Sequence, residues 1–584
     1  MIQALGASQG IAIGKAFVLP HWEWELPDQK IDVADLAKEF DRLYEGIRRS
    51  KTEINRMKTE MDEAVGSEEA SIFDAHLAIL EDPVFMNEIQ GIIQRQYKVA
   101  EVAVKEAIDH FVTMFDLLDD EYMKERALDI KDVGNRLLKH LLGVPEIALP
   151  EDTQPFVLVV RELSPSQLVH LKPELVLGIV TMVGSPTSHA AIMARAFGIP
   201  MLMGVEGKLE QPIATGELLI VDGETGLLQI DPSSETIGRY TEMRKRQTAM
   251  KEQLLQLVEV PPVTPDGVHL TLAANISSLK ELDAALHNGA DGVGLFRTEF
   301  LYMDRSRFPT EEEQFETYRA VAQKLKGRTL IIRTLDIGGD KQLDYYELPE
   351  EENPFLGFRA IRFSLERKDL FKTQLRAILR ASAFGDVRIM YPLITSVDEV
   401  REANGVLAEA KKELAYEGIE YRDDVKVGIM IEVPAAVAIA DLLAEEASFF
   451  SIGTNDLIQF TLAVDRMNEK ISHLYEPFHP AILRMIRTVA TAAQKRGIPV
   501  SVCGEVAGDV NALPIWLGLG IEELSLSAQA ILPVKESLLR TKASDSRKLL
   551  QGLFRCKTAA EVRALAGQFN AEAALAPGNA RPIV

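Results

Sequence analysis

Cysteine is nearly absent from this chain: two residues, Cys503 and Cys556, in 584. Two thiols build no disulfide framework, so packed cores must hold the fold, and a reducing setting is expected. Positive charge is scarce as well, with 64 Lys and Arg against 88 Asp and Glu and a formal net charge of −24. That balance excludes a nucleic-acid binder, which needs basic patches to neutralise phosphates, and suits solubility and a basic protein partner. No apolar run approaches the ~18 residues that cross a bilayer, and the opening Met-Ile-Gln-Ala-Leu-Gly lacks the basic lead of a signal peptide. A soluble, cytoplasmic protein of several domains is expected.

What is present is apolar periodicity of two kinds. Residues 1 to 20 hold two short β-like runs broken by glycines, and from about 28 to 145 the spacing turns helical, as in Leu36, Phe40, Leu43, Ile47 and again Ile130, Val133, Leu137, Leu141. With breaks near Gly66, Pro83 and Gly143 this predicts a bundle of about four long segments. The acidic stretch from Ser67 to Pro83, with Glu68, Glu69 and a central His76, reads first as a solvated helix face. Strand-like runs return at Pro155 to Val160, Leu175 to Val183, Met201 to Met203, Leu218 to Asp222 and Leu227 to Ile230. The bundle therefore looks like an insertion in a small α/β unit. Residues 233 to 258 read as one exposed joining helix, ended by Pro261, Pro262 and Pro265.

Beyond residue 265, eight β-rich runs alternate with helical spacers: Val268 to Asn275, Gly292 to Thr298, Thr329 to Asp336, Val387 to Ile394, Val427 to Val433, Phe449 to Asn455, Pro499 to Gly504 and Glu523 to Leu526. Eight such units over about 300 residues predict a (β/α)8 barrel, with an open doubly wound sheet as the alternative. In a closed barrel the C-terminal strand ends share one mouth. The residues there are Arg297, Arg333, Glu432, Asn455 with Asp456, and Cys503 with Glu505, while Arg359 and Arg466 follow on loops. Converging arginines and carboxylates are costly as packing, because each desolvated ion must find a partner. A phosphorylated carboxylate between the arginines and Mg2+ between Glu432 and Asp456 satisfy both demands. Cys503 is either an inert small hydrophobe or a proton donor to a carbanion-like carbon.

Upstream, Gly184-Ser-Pro-Thr-Ser-His-Ala-Ala-Ile-Met-Ala-Arg follows a strand-like run, with Thr187 or Ser188 placed to cap a helix that Gly198 and Pro200 stop. His189 falls in its first turn, where free N–H groups favour an anion and a neutral imidazole. Alone, such a histidine is more often a capping or packing residue than a phosphoryl acceptor.

That block resembles the phosphohistidine signature of the phosphoenolpyruvate-utilising enzymes. Gly294-Leu-Phe-Arg-Thr-Glu-Phe, Arg333-Thr-Leu-Asp-Ile-Gly-Gly-Asp-Lys341, Asn353-Pro-Phe-Leu-Gly-Phe-Arg-Ala-Ile-Arg, Ser451-Ile-Gly-Thr-Asn-Asp-Leu and Val502-Cys-Gly-Glu resemble the family's barrel motifs. Their order and the chain length are similar to those of the enzyme I branch, the phosphoenolpyruvate-protein phosphotransferases of the bacterial phosphotransferase system. The resemblance implies a multidomain α/β protein: a swivelling phosphohistidine domain (1–27 and 146–232), an inserted helical bundle that binds the carrier HPr (28–145), a linker helix (233–260) and a barrel that binds phosphoenolpyruvate and dimerises (261–575). It further implies that His189 accepts the phosphoryl group on Nε2 and passes it to HPr. Arg297, Arg333, Arg359 and Arg466 would hold the substrate with Asn455, Glu432 and Asp456 would bind Mg2+, and Cys503 would protonate the enolate to pyruvate. Glu68 and Glu69 would then face a basic partner.

Two departures concern the carrier. Ser185 and Pro186 stand where sugar-branch enzymes have Gly-Arg, and Leu168 stands where a hydroxyl residue is expected; both look closer to a nitrogen-branch paralogue, which usually has an extra sensory domain. ATP-dependent relatives need an ATP-binding domain for which this chain has neither room nor a Gly-rich phosphate loop. A non-catalytic scaffold is disfavoured by the intact set of charged residues.

Overall fold

Strands in this protein are made of β-branched and aliphatic runs, and where a sheet is covered on both sides the runs are continuous rather than alternating. The structure is a computed structural model that describes residues 1–19, 26–27, 30–64, 72–116, 121–144, 154–164, 166–167, 172–184, 188–209, 211–303, 305–339, 341, 343, 345–466, 468 and 470–575. The chain divides into two units, Met1–Ala249 and Met250–Val584. Among the described residues no helix is long and apolar enough to cross a membrane.

The first unit is built on an eight-stranded sheet of β1 (Ile2–Gln3), β2 (Leu5–Ser8), β3 (Ile11–Val18), β4 (Phe156–Val160), β5 (Val176–Thr181), β6 (Met201–Met203), β7 (Leu218–Asp222) and β8 (Leu227–Ile230), in the order β1-β8-β7-β3-β4-β5-β6-β2. The neighbours from β3 to β6 run parallel, while β1, β2, β7 and β8 add antiparallel pairs. Side chains alternate across β4. Val157 and Val159 pack with Leu219, Val221 and Leu228, whereas Phe156, Leu158 and Val160 join the helical core.

Five helices, Leu36–Ala64, Ile72–Glu81, Pro83–Gln96, Ala100–Asp116 and Glu121–Leu142, lie in the connection between β3 and β4. Those strands pair directly, with Ala16 opposite Val157, so the bundle is an insertion between sheet neighbours. The break expected near Pro83 is present, with Pro83 in the first turn of a new helix, and among the described residues the four expected segments become five because Tyr97, at φ 57°, ends that helix before another begins at Ala100. Asp82 caps the helix that Pro83 opens by accepting from Val84 N at 2.6 Å and Phe85 N at 3.1 Å. Asp74 and Glu81 are exposed as expected of a solvated face, but His76 is fully buried and edge-on to Phe73. Glu68 and Glu69 lie outside the described residues. The joining helix runs Ser234–Leu255, with Ser233 Oγ accepting from Thr236 N.

The second unit is a closed barrel of β9 (Thr271–Ile276), β10 (Val293–Phe296), β11 (Leu330–Arg333), β12 (Val387–Tyr391), β13 (Val427–Ile431), β14 (Phe450–Gly453), β15 (Val500–Cys503) and β16 (Glu523–Leu526). Every pair is parallel, and β16 closes on β9 with Leu526 opposite Ala274, which rules out the open sheet. The barrel is filled rather than hollow: Leu295, Ile331, Met390, Met430, Phe449 and Cys503 pack in its interior.

Candidate functional site

His189 opens the helix His189–Phe197. Ser188 caps it by accepting from Ala191 N at 3.4 Å, and Gly198 closes it at φ +67°. Of the two expected caps it is Ser188 that serves. The His189 side chain, Ser185, Pro186, Thr187 and Leu168 lie outside the described residues.

The nine barrel residues singled out from the sequence meet in one cavity of about 430 Å³ at the C-terminal ends of the strands: Arg297, Arg333, Arg359, Glu432, Asn455, Asp456, Arg466, Cys503 and Glu505 all line it. Parallel closure explains this, because a residue just past the end of any strand is delivered to the same mouth. The cavity falls in the size range of small-ligand sites.

The arginines differ in how far the protein has already engaged them. Arg333, buried at the end of β11, pairs with Glu299 and with Asp336 Oδ2 at 3.1 Å. Arg359 is buried too and donates to Asp336 Oδ1 at 2.9 Å, with Asp456 Oδ2 at 3.2 Å and the Phe355 ring beneath its guanidinium. Its neighbour Gly338 has φ +100°, and a Cβ there would lie 2.5 Å from that of Arg359. Among the described residues the Arg466 guanidinium pairs only with Glu505, at 3.9 Å. Arg297 is exposed and makes no ion pair among the described residues. The Nε atoms of Arg333, Arg359 and Arg466, and Nη1 of Arg359, are buried without a partner among those residues.

Asn455 grips the adjoining strand end, with Oδ1 accepting from Glu505 N at 3.2 Å and Nδ2 donating to Glu505 Oε1 at 3.4 Å. Glu432 follows β13, buried, and accepts from Leu393 N at 2.6 Å. Burial above all, then the charges of Asp456 and Asp336, push its carboxyl up to about 8. A buried carboxyl pushed up beside a second carboxylate presents hard oxygen donors that a divalent cation would stabilise, so the pair fits an ion of the magnesium type. No cluster of three or more metal-binding side chains occurs among the described residues, so substrate oxygens and water would complete such a site.

Cys503 ends β15 with its thiol 2 % exposed. Ser451 Oγ donates to its sulfur at 3.5 Å, and the thiol in turn donates to the carbonyl of Ile452 at 3.5 Å. Burial pushes the thiol up to about 11, so it keeps its proton at neutral pH. Thr454 Oγ1 donates to Cys503 O at 2.8 Å. Gly504 turns at φ +104°, where a Cβ would lie 2.3 Å from that hydroxyl.

Three members of the charge cluster were not singled out from the sequence. Glu299, Asp336 and Lys341 supply the counter-charges: Lys341 Nζ lies 2.7 Å from Glu299 Oε1 and 3.5 Å from Asp336 Oδ2. Burial works against the ionised form of both acids, but Arg333 and Lys341 hold them below the ordinary carboxylate range. The signal was available, since a buried arginine at a strand end demands an acid nearby and both acids sit within three residues of Arg297 or Arg333.

Residues 251–543 match the PEP-binding domain of PEP-utilising enzymes, residues 3–126 their N-terminal domain and residues 152–226 their mobile domain. Phosphoenolpyruvate-protein phosphotransferase of Geobacillus stearothermophilus is 45 % identical over 564 residues, covering 96 % of each chain. The protein of the same name from Bacillus subtilis is 46 % identical over 562 residues, covering 96 % of this chain and 98 % of that one, and the one from Staphylococcus carnosus is 43 % identical over 576 residues, covering 98 % and 99 %. With a barrel match of this extent and identity running almost end to end, the chain belongs to the PEP-utilising enzyme family, among its phosphoenolpyruvate-protein phosphotransferases.

Proposed function

We propose that this protein transfers the phosphoryl group of phosphoenolpyruvate to Nε2 of His189 and then to a histidine of HPr, releasing pyruvate, as the first step of the sugar phosphotransferase system. The observation that carries the reading is the single cavity in which four arginines, two mutually repelling carboxylates, Asn455 and a protonated thiol converge. Phosphoryl transfer asks the protein for in-line positioning and charge neutralisation more than for covalent chemistry. Arg297 and Arg466, the least engaged internally, have the most capacity to take the phosphate and carboxylate oxygens. Arg333 and Arg359, pinned by Glu299, Asp336 and Asp456, give the cavity a fixed geometry, with Asn455 assisting.

Glu432 and Asp456 would hold a divalent cation, taken here as Mg2+, which when bound supplies positive charge against the substrate's anionic oxygens. In the transfer the bridging P–O bond breaks and a P–N bond forms from the Nε2 lone pair, leaving its electrons on the enolate. The Cys503 thiol then gives its proton to the methylene carbon. The domain limits adopted are 1–27 with 146–232 for the phosphohistidine domain, 28–145 for the bundle that docks HPr (Glu68 and Glu69 among its contacts), 233–260 for the linker and 261–575 for the barrel. The linker serves as the hinge that lets His189 alternate between barrel and HPr. A cytoplasmic homodimer joined through the barrel completes the proposal. The relatives reported above carry no nitrogen-branch name, which supports HPr as the carrier.

Incubation with phosphate-labelled phosphoenolpyruvate and Mg2+, without ATP, tests the reading. Acid-labile, alkali-stable label that moves on to HPr is expected, and His189→Ala should take up none. Label on His189→Ala, or none on the native chain, would refute it.

A further inference from the structure

Beneath the cavity the barrel interior is apolar, with Leu295, Ile331, Met390, Met430 and Phe449 around the Cys503 sulfur. A hydroxyl interrupts this setting at Ser451, which is fully buried and does not itself line the cavity. It stands two residues before Gly453, the residue of β14 that faces Cys503 across the β14–β15 pair, so both side chains point into the barrel. Ser451 Oγ lies 3.5 Å from the sulfur.

A neutral thiol is a weak acceptor and gives a buried hydroxyl little in return. A thiolate is a strong one, so this hydrogen bond strengthens when the proton has left. An interaction that grows along the reaction coordinate lowers the barrier rather than merely stabilising the ground state. We infer that Ser451 is a positioning residue for the proton transfer, its O–H engaging the Cys503 sulfur from below so that the sulfur anion is stabilised once the thiol hydrogen, which in the resting protein is donated to the Ile452 carbonyl, has gone to the substrate.

The step balances: the S–H bond breaks with its electron pair staying on sulfur, a C–H bond forms on the methylene carbon from the enolate's electrons, and the enolate oxygen becomes a carbonyl. Water returns a proton to sulfur after pyruvate leaves. The hydroxyl does not hold the strand, because Thr454 Oγ1 fixes the Cys503 carbonyl independently. This inference rests on the proposed function, in which Cys503 is the acid.

The test uses the full chain, phosphorylated with phosphoenolpyruvate and freed of excess, and follows single-turnover formation of phosphoenolpyruvate from added pyruvate. Ser451→Ala should slow the maximal rate about ten-fold to a hundred-fold, the worth of a hydrogen bond to an anion, while the half-saturating pyruvate concentration changes by less than about two-fold. Ser451→Thr, which keeps the hydroxyl, should recover most of the rate. A Ser451→Ala maximal rate within about two-fold of native, alongside a slow Cys503→Ala, would overturn the role of Ser451 alone. A native rate in Cys503→Ala would overturn the acid assignment and this inference with it.

Discussion

Cys503→Ala separates the two directions of the reaction, and the size of the separation follows from the burial of the thiol. With the group pushed up to about 11, the forward direction finds its proton donor loaded at any pH below about 10. The reverse direction needs the thiolate as a base, and about one molecule in a thousand carries it at pH 8. Where removal of the pyruvate proton limits, the reverse rate of the native protein should therefore climb about ten-fold per pH unit from 7 to 9.5, while forward phosphorylation of His189 shows no such slope. Removing the sulfur leaves a small void against Leu295, Met390 and Met430, costing on the order of 1 kcal/mol, so the fold should survive. The reverse rate should drop ~10² to 10⁴-fold and lose its slope. Forward phosphorylation should fall far less, because enolpyruvate that leaves the cavity takes a proton from water. Rapid-quench single turnovers in both directions measure this. Equal losses in the two directions, or a native reverse rate flat in pH, would refute the reasoning.

Three further outcomes are expected. Glu523, at the start of β16, has a buried Oε1 without a partner among the described residues, and burial, then Asp291 and Glu522 against the opposing pull of Arg388, push its carboxyl up to about 7. The folded state then holds a proton the unfolded chain has lost, so this stability is present below about pH 4.5 and is lost as pH rises through about 7. The shift is worth at most about 3 kcal/mol and less for a residue that keeps some exposure. The unfolding free energy of native protein minus that of Glu523→Gln, measured in urea, should thus fall between pH 5 and 8, and a flat difference would contradict the assignment. Arg359→Lys forfeits the planar contact with Asp336 and Asp456 and should lower kcat/KM for phosphoenolpyruvate by roughly 10²-fold, with transfer from phosphorylated HPr to His189 unchanged. Chelating divalent cations should abolish labelling from phosphoenolpyruvate and leave that HPr exchange intact.

The barrel was legible because its strands are covered on both faces. Val427-Gly-Ile-Met-Ile431 and its counterparts are uninterrupted apolar runs, and what ends each run is the residue delivered to the mouth. Reading the run ends therefore found the cavity without reading a single contact. Arg359 and Arg466 lie on loops, and it was their motifs rather than their periodicity that drew attention. Glu299, Asp336 and Lys341 went unassigned because their importance comes from charge balance in three dimensions, which spacing does not encode. His76 was masked by its acidic neighbours, although Phe73, His76 and Leu80 already follow the three-and-four spacing of a buried stripe. Pro83 marks a true helix boundary, whereas the break at Tyr97 carries neither glycine nor proline and leaves no such signal in the sequence.

The charge cluster is poised in both signs at once. Buried guanidinium N–H groups on Arg333, Arg359 and Arg466 that have no partner among the described residues cost about 1–3 kcal/mol each, and nearby Glu432 is pushed toward its protonated form by burial and then by Asp456 and Asp336. An anion satisfies the first deficit and worsens the second only if it approaches the carboxylates alone; a cation does the converse. Each ligand therefore supplies the field the other lacks, and substrate and divalent cation should bind with mutual assistance, each tightening the other by the same factor. Calorimetric titration of phosphoenolpyruvate with and without Mg2+ measures that factor. Independent binding would mean that the acids and arginines at this mouth neutralise one another completely, leaving no unmet charge for the reaction to use.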